Sequence, residues 1–289
     1  MKSVFIAFTL KNSSVSEFFV CLANYLSQNR QVIIITHASE KHSMKLNDGI
    51  RVYRWPTKRP KTLKDLFFLL KLVYKYQPGT IIGNFAAVNL CMFGGFIMRV
   101  KNRIAWYHTL TTQLENKEFL RKRKKIFYNM ATKIVTNSEA GRKDLINSFQ
   151  INLSKIEKIN NAVRDPDIIS KTEFGKIVFA GRLHEIKGAH IFLKAISLVK
   201  PEFKNIKGVI IGEDEGTGEV KKLRKLEKEL ELEDNIYFMG NRSRSYVLKQ
   251  FSTAYLTVVP SYKEAFGYVV IESFSVHTPV IGSDTTGIS

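Results

Sequence analysis

The 289-residue sequence predicts an α/β protein of two doubly wound lobes, each built on a parallel sheet with helices on both faces. Three observations indicate this fold class. Short β-rich runs alternate with helical patterns along the chain, which is typical of repeated βαβ units. The β-rich runs are apolar throughout rather than alternating in polarity, as expected for strands buried on both faces. The length leaves room for two medium-sized domains.

The first half of the chain contains seven strand-like runs. Most of the segments between them have apolar residues at helical spacing, as in 16–29 and 62–77. The seven runs are residues 3–8, 31–36, 50–55, 80–85, 103–109, 133–138 and 155–163. Five more follow at residues 176–181, 207–212, 235–240, 254–260 and 279–284. Between the two series, residues 164–175 are polar and lack periodicity, which predicts a hinge. We therefore expect an N-terminal lobe over 1–165 and a C-terminal lobe over 166–289.

Positive charge is concentrated in the N-terminal lobe. The net charge is +19, and residues 1–165 hold 28 Lys and Arg against 10 Asp and Glu, whereas the remainder holds 17 against 16. This asymmetry favours a polyanionic partner, either nucleic acid or an anionic membrane surface, over a general solubility charge. The basic run at 121–125 has no interleaved aromatic residues and belongs to no nucleic-acid-binding motif, so nucleic acid is not expected as a partner.

Membrane-spanning, secreted and metal-binding classes are not favoured. The longest apolar stretch, 86–100, is interrupted by Asn89 and is too short to span a bilayer. The N-terminal segment lacks the small-residue cleavage site of a signal peptide. Cys21 and Cys91 lie in apolar runs without metal-ligand spacing, so we interpret both as buried hydrophobic residues of a cytoplasmic protein.

The carboxyl ends of the C-terminal strands carry residues suited to ligand binding. Gly181 and Gly212 each end a strand, where glycine lets the backbone approach a ligand, although ordinary turn glycines are the alternative. Arg182 follows the first of these strands, and Lys187 precedes a helix five residues later. Two cations beside a helix N-terminus suit a diphosphate, because arginine offers a planar fork and lysine a point charge.

Two carboxylates, Glu264 and Glu272, follow the strand at 254–260 and are separated by seven residues. The pattern predicts Glu264 in a loop, a helix start near Phe266 and Gly267, and Glu272 one or two turns inside that helix. Glu272 is then placed to accept hydrogen bonds from a ribose diol, as acidic residues do in nucleotide-binding folds. A solvated surface glutamate is the alternative.

The ordered set of these motifs resembles the retaining glycosyltransferases of family four. The family pattern reads glycine-arginine-leucine, lysine-glycine, proline-serine, and two glutamates separated by seven residues. It stands here as Gly181-Arg182-Leu183, Lys187-Gly188, Pro260-Ser261, Glu264 and Glu272. The resemblance covers the C-terminal lobe and, more loosely, the N-terminal lobe. It implies the GT-B fold, in which two Rossmann-like lobes face a cleft.

The resemblance also implies roles for individual residues. Arg182 and Lys187 would hold the donor diphosphate and stabilise it as a leaving group, and Glu272 would bind the ribose. His108 would lie near the transferred sugar, with a purely structural histidine as the alternative. The implied sugar contacts are Glu264 and the backbone amides of Phe266 and Gly267.

The leading interpretation is an enzyme that moves a sugar from a UDP- or GDP-sugar to a hydroxyl acceptor, with retention of configuration. The donor is a co-substrate, and the resemblance implies neither a metal nor another cofactor. It also implies a place in bacterial polysaccharide, lipopolysaccharide or glycolipid synthesis. A non-catalytic nucleotide-sugar-binding protein is one alternative, favoured by the glycine-free loop after the first strand, and a sugar-nucleotide 2-epimerase is another. Family members continue beyond the position of Ser289, so we expect the C-terminal end to be truncated.

A basic amphipathic helix is predicted within residues 58–77. Its lysines, which share one helical face beside apolar residues, are Lys61, Lys64, Lys71 and Lys75. With the basic run at 121–125, they predict peripheral binding to the inner face of the cytoplasmic membrane and a lipid-linked or saccharide acceptor. The alternative is an ordinary core-facing helix with solvated lysines.

Overall fold

The computed structural model describes residues 2–36, 45–57, 62–108, 110–111, 118–214, 216–264, 266–285 and 287–288. The chain forms two compact units, Met1–Asn161 and Ala162–Ser289. Each unit contains one parallel sheet whose strands are connected mostly by helices, which confirms the predicted α/β class with two parallel sheets.

The N-terminal unit contains a seven-stranded sheet. Its strands are β1 (Val4–Ala7), β2 (Val32–Thr36), β3 (Arg51–Arg54), β4 (Thr80–Asn84), β5 (Asn102–Tyr107), β6 (Lys133–Thr136) and β7 (Ile156–Lys158). Its helices are α1 (Ser14–Ser27), α2 (Leu63–Tyr76), α3 (Val88–Ile97), α4 (Glu118–Met130) and α5 (Glu139–Phe149). The strand order is β3-β2-β1-β4-β5-β6-β7, so the order reverses between β1 and β4. Ligands bind at such a reversal, beyond the carboxyl ends of the strands.

The inner strands are buried because their sequences are apolar throughout. Every residue of β1 and β2 is buried, as parallel strands covered on both faces require. Phe19 of α1 is fully buried and packs edge-on against Trp106 of β5, with ring centroids 4.9 Å apart. Strand β3 is largely exposed because it lies at the edge of the described sheet.

Helix α2 begins and ends where its own sequence directs. The Thr62 side chain accepts a hydrogen bond from the Asp65 backbone, and the Asp65 carboxylate accepts one from the Thr62 backbone, which forms a capping box. Gln77 ends the helix in the left-handed conformation. The core face of α2 contains Leu69 and Val73, so the lysines of the predicted amphipathic helix lie on the opposite, exposed face. Of these lysines, Lys61 lies outside the described residues.

The C-terminal unit contains a five-stranded sheet. Its strands are β8 (Glu173–Ala180), β9 (Lys207–Ile211), β10 (Ile236–Gly240), β11 (Ala254–Val259) and β12 (Val280–Gly282). Its helices are α6 (Ala189–Val199), α7 (Glu219–Glu229), α8 (Arg244–Ser252) and α9 (Tyr268–Phe274). All neighbouring strands are parallel in the order β10-β9-β8-β11-β12. The strand order reverses between β8 and β11, so the segments that follow these two strands flank the expected binding crevice of this sheet.

Three details differ from the sequence-based expectations. The predicted strand at 155–163 ends at Lys158, because β7 pairs with β6 and that strand ends at Thr136. Strand β8 begins at Glu173, inside the predicted hinge, where Glu173 pairs in register with Ala254 of β11. Cys21 is exposed rather than buried, because α1 turns Phe19, Val20 and Ala23 toward the core instead.

Candidate functional site

The carboxyl ends of β8, β9 and β10 are joined by backbone hydrogen bonds. The Gly181 amide donates to the Ile211 carbonyl at 3.0 Å, and the Gly212 amide donates to the Gly240 carbonyl at 3.0 Å. A Cβ atom on Gly212 would lie 1.8 Å from the Gly181 carbonyl oxygen. Only glycine therefore fits at position 212, and the two predicted glycines hold neighbouring strand ends in direct contact.

The segment that carries Lys187 is held against the end of β11. A short 3-10 turn, Glu185–Lys187, leads to Gly188, which adopts a left-handed φ of 72° before α6 begins. A Cβ atom on Gly188 would lie 2.1 Å from the Pro260 carbonyl oxygen, and the Tyr262 amide donates to the Ile186 carbonyl at 2.8 Å. These contacts bring the lysine-glycine and proline-serine motifs together across the reversal of strand order.

Lys187 and Glu264 form an ion pair at this point. Both side chains are largely buried, with 21% and 16% of their surfaces exposed. Arg182 directly follows Gly181 and is exposed. The structure therefore brings together a lysine and a carboxylate that the sequence analysis assigned to the diphosphate and the donor sugar.

Glu272 lies inside α9, as the sequence predicted, and its carboxylate is bound by an arginine. Gly267, with a left-handed φ of 73°, precedes the helix, and Glu272 is the fifth helical residue. The Arg244 Nε donates to Glu272 Oε1 at 3.1 Å, and both side chains are mostly buried. Phe266 precedes Gly267 and packs edge-on against Tyr268, with ring centroids 5.4 Å apart.

Arg244 was not predicted from the sequence as a site residue. It is the first residue of α8, in the segment that follows the end of β10, so a cation after a strand end was the available signal. Its partner is 28 residues away in the sequence, and only the order of the strands brings the two together.

His108 lies in the N-terminal unit, directly after β5, and its ring contacts other aromatic rings. Its ring is nearly parallel to Phe85, with centroids 4.4 Å apart, and to Trp106 at 6.3 Å. Its Nε2 lies 2.8 Å from Asn84 Oδ1, so Nε2–H donates to the amide oxygen. Burial lowers the pKa of His108 to about 3, so the ring is neutral at physiological pH. Its Nδ1 therefore carries a lone pair that can accept a hydrogen bond.

Two residues around His108 were not singled out from the sequence. Phe85 adopts a left-handed φ of 46°, which is rare for a bulky residue and is typically retained at functional sites. Asn84 is buried, and its Nδ2 has no hydrogen-bond partner among the described residues. Both lie at the carboxyl end of β4, beside the strand that carries His108.

The segment after His108 is anchored by Asp144 of α5. The Tyr107 hydroxyl donates to Asp144 Oδ2 at 2.5 Å, and the Thr111 amide donates to the same oxygen at 2.6 Å. The hydroxyls of Thr111 and Ser148 donate to Oδ1. One carboxylate thus fixes residues on both sides of His108, which limits how far the ring can move.

The predicted site residues fall into two sets. The C-terminal unit holds Gly181, Arg182, Lys187, Gly212, Glu264, Phe266, Gly267 and Glu272, and the N-terminal unit holds His108. Within the ranges that the structure describes, no group of three or more His, Cys, Asp or Glu residues is arranged to hold a metal ion. No helix in these ranges is long and apolar enough to cross a membrane.

Comparison with protein families gives two matches that together cover most of the chain. A model described as Glycosyltransferase Family 4 matches residues 15–165, and one described as Glycosyl transferases group 1 matches residues 164–289. The first match spans more than half of the chain, which is sufficient to show family membership.

Individual proteins agree with the family models. D-inositol 3-phosphate glycosyltransferase of Mycolicibacterium smegmatis is 28% identical over 173 residues, a match that covers 55% of this chain and 39% of that protein. An uncharacterized glycosyltransferase of Methanocaldococcus jannaschii is 24% identical over 256 residues, covering 80% and 61% of the two chains. The matches thus span less than two thirds of these relatives' lengths. The crystal structure of Anabaena HepE with UDP and glucose has a TM-score of 0.79 at 17% identity and covers 99% of this chain and 82% of that chain, which shows a shared fold.

Proposed function

The chain belongs to glycosyltransferase family 4, a family of retaining enzymes with the GT-B fold, and from this membership we propose that it transfers a sugar from a UDP- or GDP-sugar to a hydroxyl acceptor. The observation that carries the proposal is the ion pair of Lys187 and Glu264 at the reversal of strand order in the C-terminal sheet. Open α/β sheets bind their ligands at such a point.

Lys187 and Arg182 are proposed to bind the donor diphosphate. Lys187 is paired with Glu264. A diphosphate carries more negative charge than one carboxylate, so it can replace Glu264 as the partner of Lys187. Glu264 is then released to accept a hydrogen bond from a hydroxyl of the donor sugar. When the bond to the sugar breaks, both cations stabilise the charge that develops on the departing diphosphate.

Glu272 is proposed to bind the ribose, with Arg244 as its positioning residue. The hydrogen bond from the Arg244 Nε to Glu272 Oε1 fixes the orientation of the carboxylate, which is proposed to accept a hydrogen bond from a ribose hydroxyl. HepE, which shares the fold, was solved with UDP and glucose, so a uridine nucleotide is the first donor to test.

His108 is proposed to contact the transferred sugar through its Nδ1. The ring is neutral because of its burial, and Nε2 is already hydrogen-bonded to Asn84. Nδ1 is therefore the ring nitrogen that can accept a hydrogen bond from a hydroxyl of the sugar. Stacking on Phe85 fixes the plane of the ring, and the hydrogen bond to Asn84 fixes the direction of the Nδ1 lone pair within that plane. Orientation of this kind contributes to catalysis because less freedom is lost when the substrate binds.

The exposed face of α2 is proposed to lie on an anionic membrane surface. Leu63, Phe67 and Tyr74 are about 70% exposed and form one strip of the helix. Lys64, Lys71 and Lys75 form the adjacent exposed strip. Aromatic and aliphatic side chains beside lysines are typical of helices that lie in a membrane interface, where each basic residue contributes about 1 kcal/mol. This arrangement suits an enzyme of cell-surface polysaccharide or glycolipid synthesis that acts at the inner face of the cytoplasmic membrane.

Donor turnover tests the proposed activity. The purified chain should release UDP or GDP when it is incubated with UDP-glucose or GDP-mannose and a mixture of hydroxyl acceptors. Lys187→Ala should lower this rate by about a hundredfold or more, because one charge-stabilising contact is lost. Lys194→Ala is the matched control, since Lys194 is an exposed lysine of α6 that does not belong to the site. Stabilisation by UDP without any nucleotide release would contradict catalysis and favour the non-catalytic nucleotide-sugar-binding alternative.

Vesicle sedimentation tests the membrane contact. Phosphatidylglycerol vesicles should pellet the protein at low salt, and combined replacement of Lys64, Lys71 and Lys75 by Glu should abolish pelleting. Equal pelleting with neutral phosphatidylcholine vesicles would contradict the electrostatic part of the proposal.

A further inference from the structure

A cavity of about 590 Å³ lies within the N-terminal unit, where β4 and β5 end. Phe85 and His108 line it at these strand ends. Helices α2, α3 and α4 supply the walls, which are predominantly apolar and include Leu66, Val88, Phe93 and Phe127. The volume lies within the range of about 300–1,000 Å³ that small-molecule sites occupy.

Two cations of α4, Arg123 and Lys124, line the same cavity. Burial lowers the pKa of Lys124, which reflects its position against the apolar walls. Over the described ranges of the chain, neither side chain forms an ion pair or a hydrogen bond. Asp144, the acidic group that acts on Lys124, also accepts hydrogen bonds from Tyr107, Thr111 and Ser148. An anion bound in the cavity would interact favourably with both cations and would offset the cost of partly burying the Lys124 ammonium.

We propose that this cavity binds a phosphate-bearing lipid, with the phosphate held by Arg123 and Lys124 and the hydrocarbon chain against the apolar walls. This inference rests on the proposed function: the bound lipid is the acceptor. The hydroxyl that receives the sugar then belongs to the group attached to the phosphate of the lipid. His108 lines the same cavity and is therefore near that group. A plain saccharide acceptor would leave both the apolar walls and the two cations without a complementary partner.

The surface next to the cavity agrees with a lipid ligand. Leu63 both lines the cavity and is 71% exposed, and it begins the apolar strip that continues along α2 to Phe67 and Tyr74. On α4, Phe119 and Ile126 are also exposed, at 75% and 57%. Exposed apolar side chains of α2 and α4 therefore continue outward from the cavity wall at Leu63, where they can contact a lipid chain.

Binding of dodecyl phosphate to the full chain tests the proposal directly. Trp106 lines the cavity, and Trp55 is the other tryptophan of the chain, so Trp106 fluorescence in a Trp55→Phe background reports occupancy. Calorimetric titration of the unsubstituted chain measures the same Kd if that background fails to fold. Dodecyl phosphate should bind saturably. Dodecanol, which lacks the phosphate, and inorganic phosphate, which lacks the hydrocarbon chain, should each bind at least about tenfold more weakly.

Charge removal on α4 provides the matched comparison. Combined Arg123→Ala and Lys124→Ala should raise the Kd for dodecyl phosphate by about tenfold or more. Combined Arg121→Ala and Lys122→Ala removes the same charge from the same helix but outside the cavity, and should leave the Kd unchanged. An equal loss in both double variants, or equal binding of inorganic phosphate, would overturn the lipid site.

Donor binding separates this proposal from the proposed function. UDP should raise the melting temperature of the unsubstituted chain whether or not the lipid binds. Stabilisation by UDP without saturable binding of dodecyl phosphate refutes the lipid site and leaves the transferase activity standing. Binding of dodecyl phosphate without any effect of UDP or UDP-glucose supports the cavity as a lipid site and contradicts the donor site.

Discussion

Acidification should destabilise the N-terminal unit through His108. Burial lowers the pKa of this residue to about 3 in the folded chain, against about 6.5 for an unperturbed histidine. Between these two values the unfolded chain binds a proton that the folded chain does not. The free energy of unfolding therefore falls as the pH falls below about 6.5, and the full contribution of the neutral ring is present only above that value.

The size of the effect follows from the difference between the two pKa values. Each pH unit below the unfolded value costs about 1.36 kcal/mol, so at about pH 5 the loss due to His108 is about 2 kcal/mol. That amount is a substantial fraction of the stability of an ordinary domain, which is about 5–15 kcal/mol.

Urea unfolding monitored by tryptophan fluorescence measures this loss. Both tryptophans, Trp55 and Trp106, lie in the N-terminal unit, so their emission reports that unit alone. The comparison is with His108→Gln, which keeps a polar group but does not titrate. Between about pH 7.5 and about pH 5 the unsubstituted chain should lose about 2 kcal/mol more than the variant does. The contributions of the other titrating groups to the pH dependence are the same in both proteins and cancel in this difference. Parallel curves for the two proteins would refute the assignment of a buried, neutral histidine.

Three further predictions concern single residues. Gly188→Ala should lower the free energy of unfolding of the C-terminal unit by about 1–3 kcal/mol more than the control Gly218→Ala does, as measured by circular dichroism in urea. The reason is that a Cβ at position 188 would collide with the Pro260 carbonyl, whereas a Cβ at position 218 would meet no atom of the described residues. Asp144→Asn should lower the free energy of unfolding of the N-terminal unit by about 1.5–3 kcal/mol in the tryptophan assay, because it removes the charge that holds the segment around His108. An unchanged urea midpoint would contradict this anchoring. Glu272→Gln should weaken UDP binding by about tenfold in calorimetry, and equal affinity would exclude it from the ribose site.

The order of strands and helices could be predicted from the sequence alone. Uniformly apolar runs such as VFIA in β1 and VIIIT in β2 specify strands that are buried on both faces, and the intervals between them carry helical spacing. Local signals also specified the helix that holds Glu272. These features depend on residues a few positions apart, so the local sequence is sufficient to predict them.

Strand limits and side-chain exposure were less predictable. The limit of β7 depends on where its neighbour β6 ends, and the exposure of Cys21 depends on how α1 is rotated against the sheet. Neither depends on the composition of the segment itself. Propensity therefore indicated the element in both cases, and packing decided its detail.

The sequence by itself determined which chemical groups stand at the strand ends: Arg182, Lys187, Glu264 and Glu272 after the C-terminal strands, and His108 after β5. Only the tertiary structure decided the partners of these groups. Lys187 pairs with Glu264 across 77 positions, Arg244 with Glu272 across 28, and His108 with Asn84 across 24. Such pairs arise because the sheet places strands side by side in an order that differs from their order in the chain. The neutral state of His108 has the same origin, since desolvation depends on the three-dimensional surroundings of the ring and not on its neighbours in the sequence.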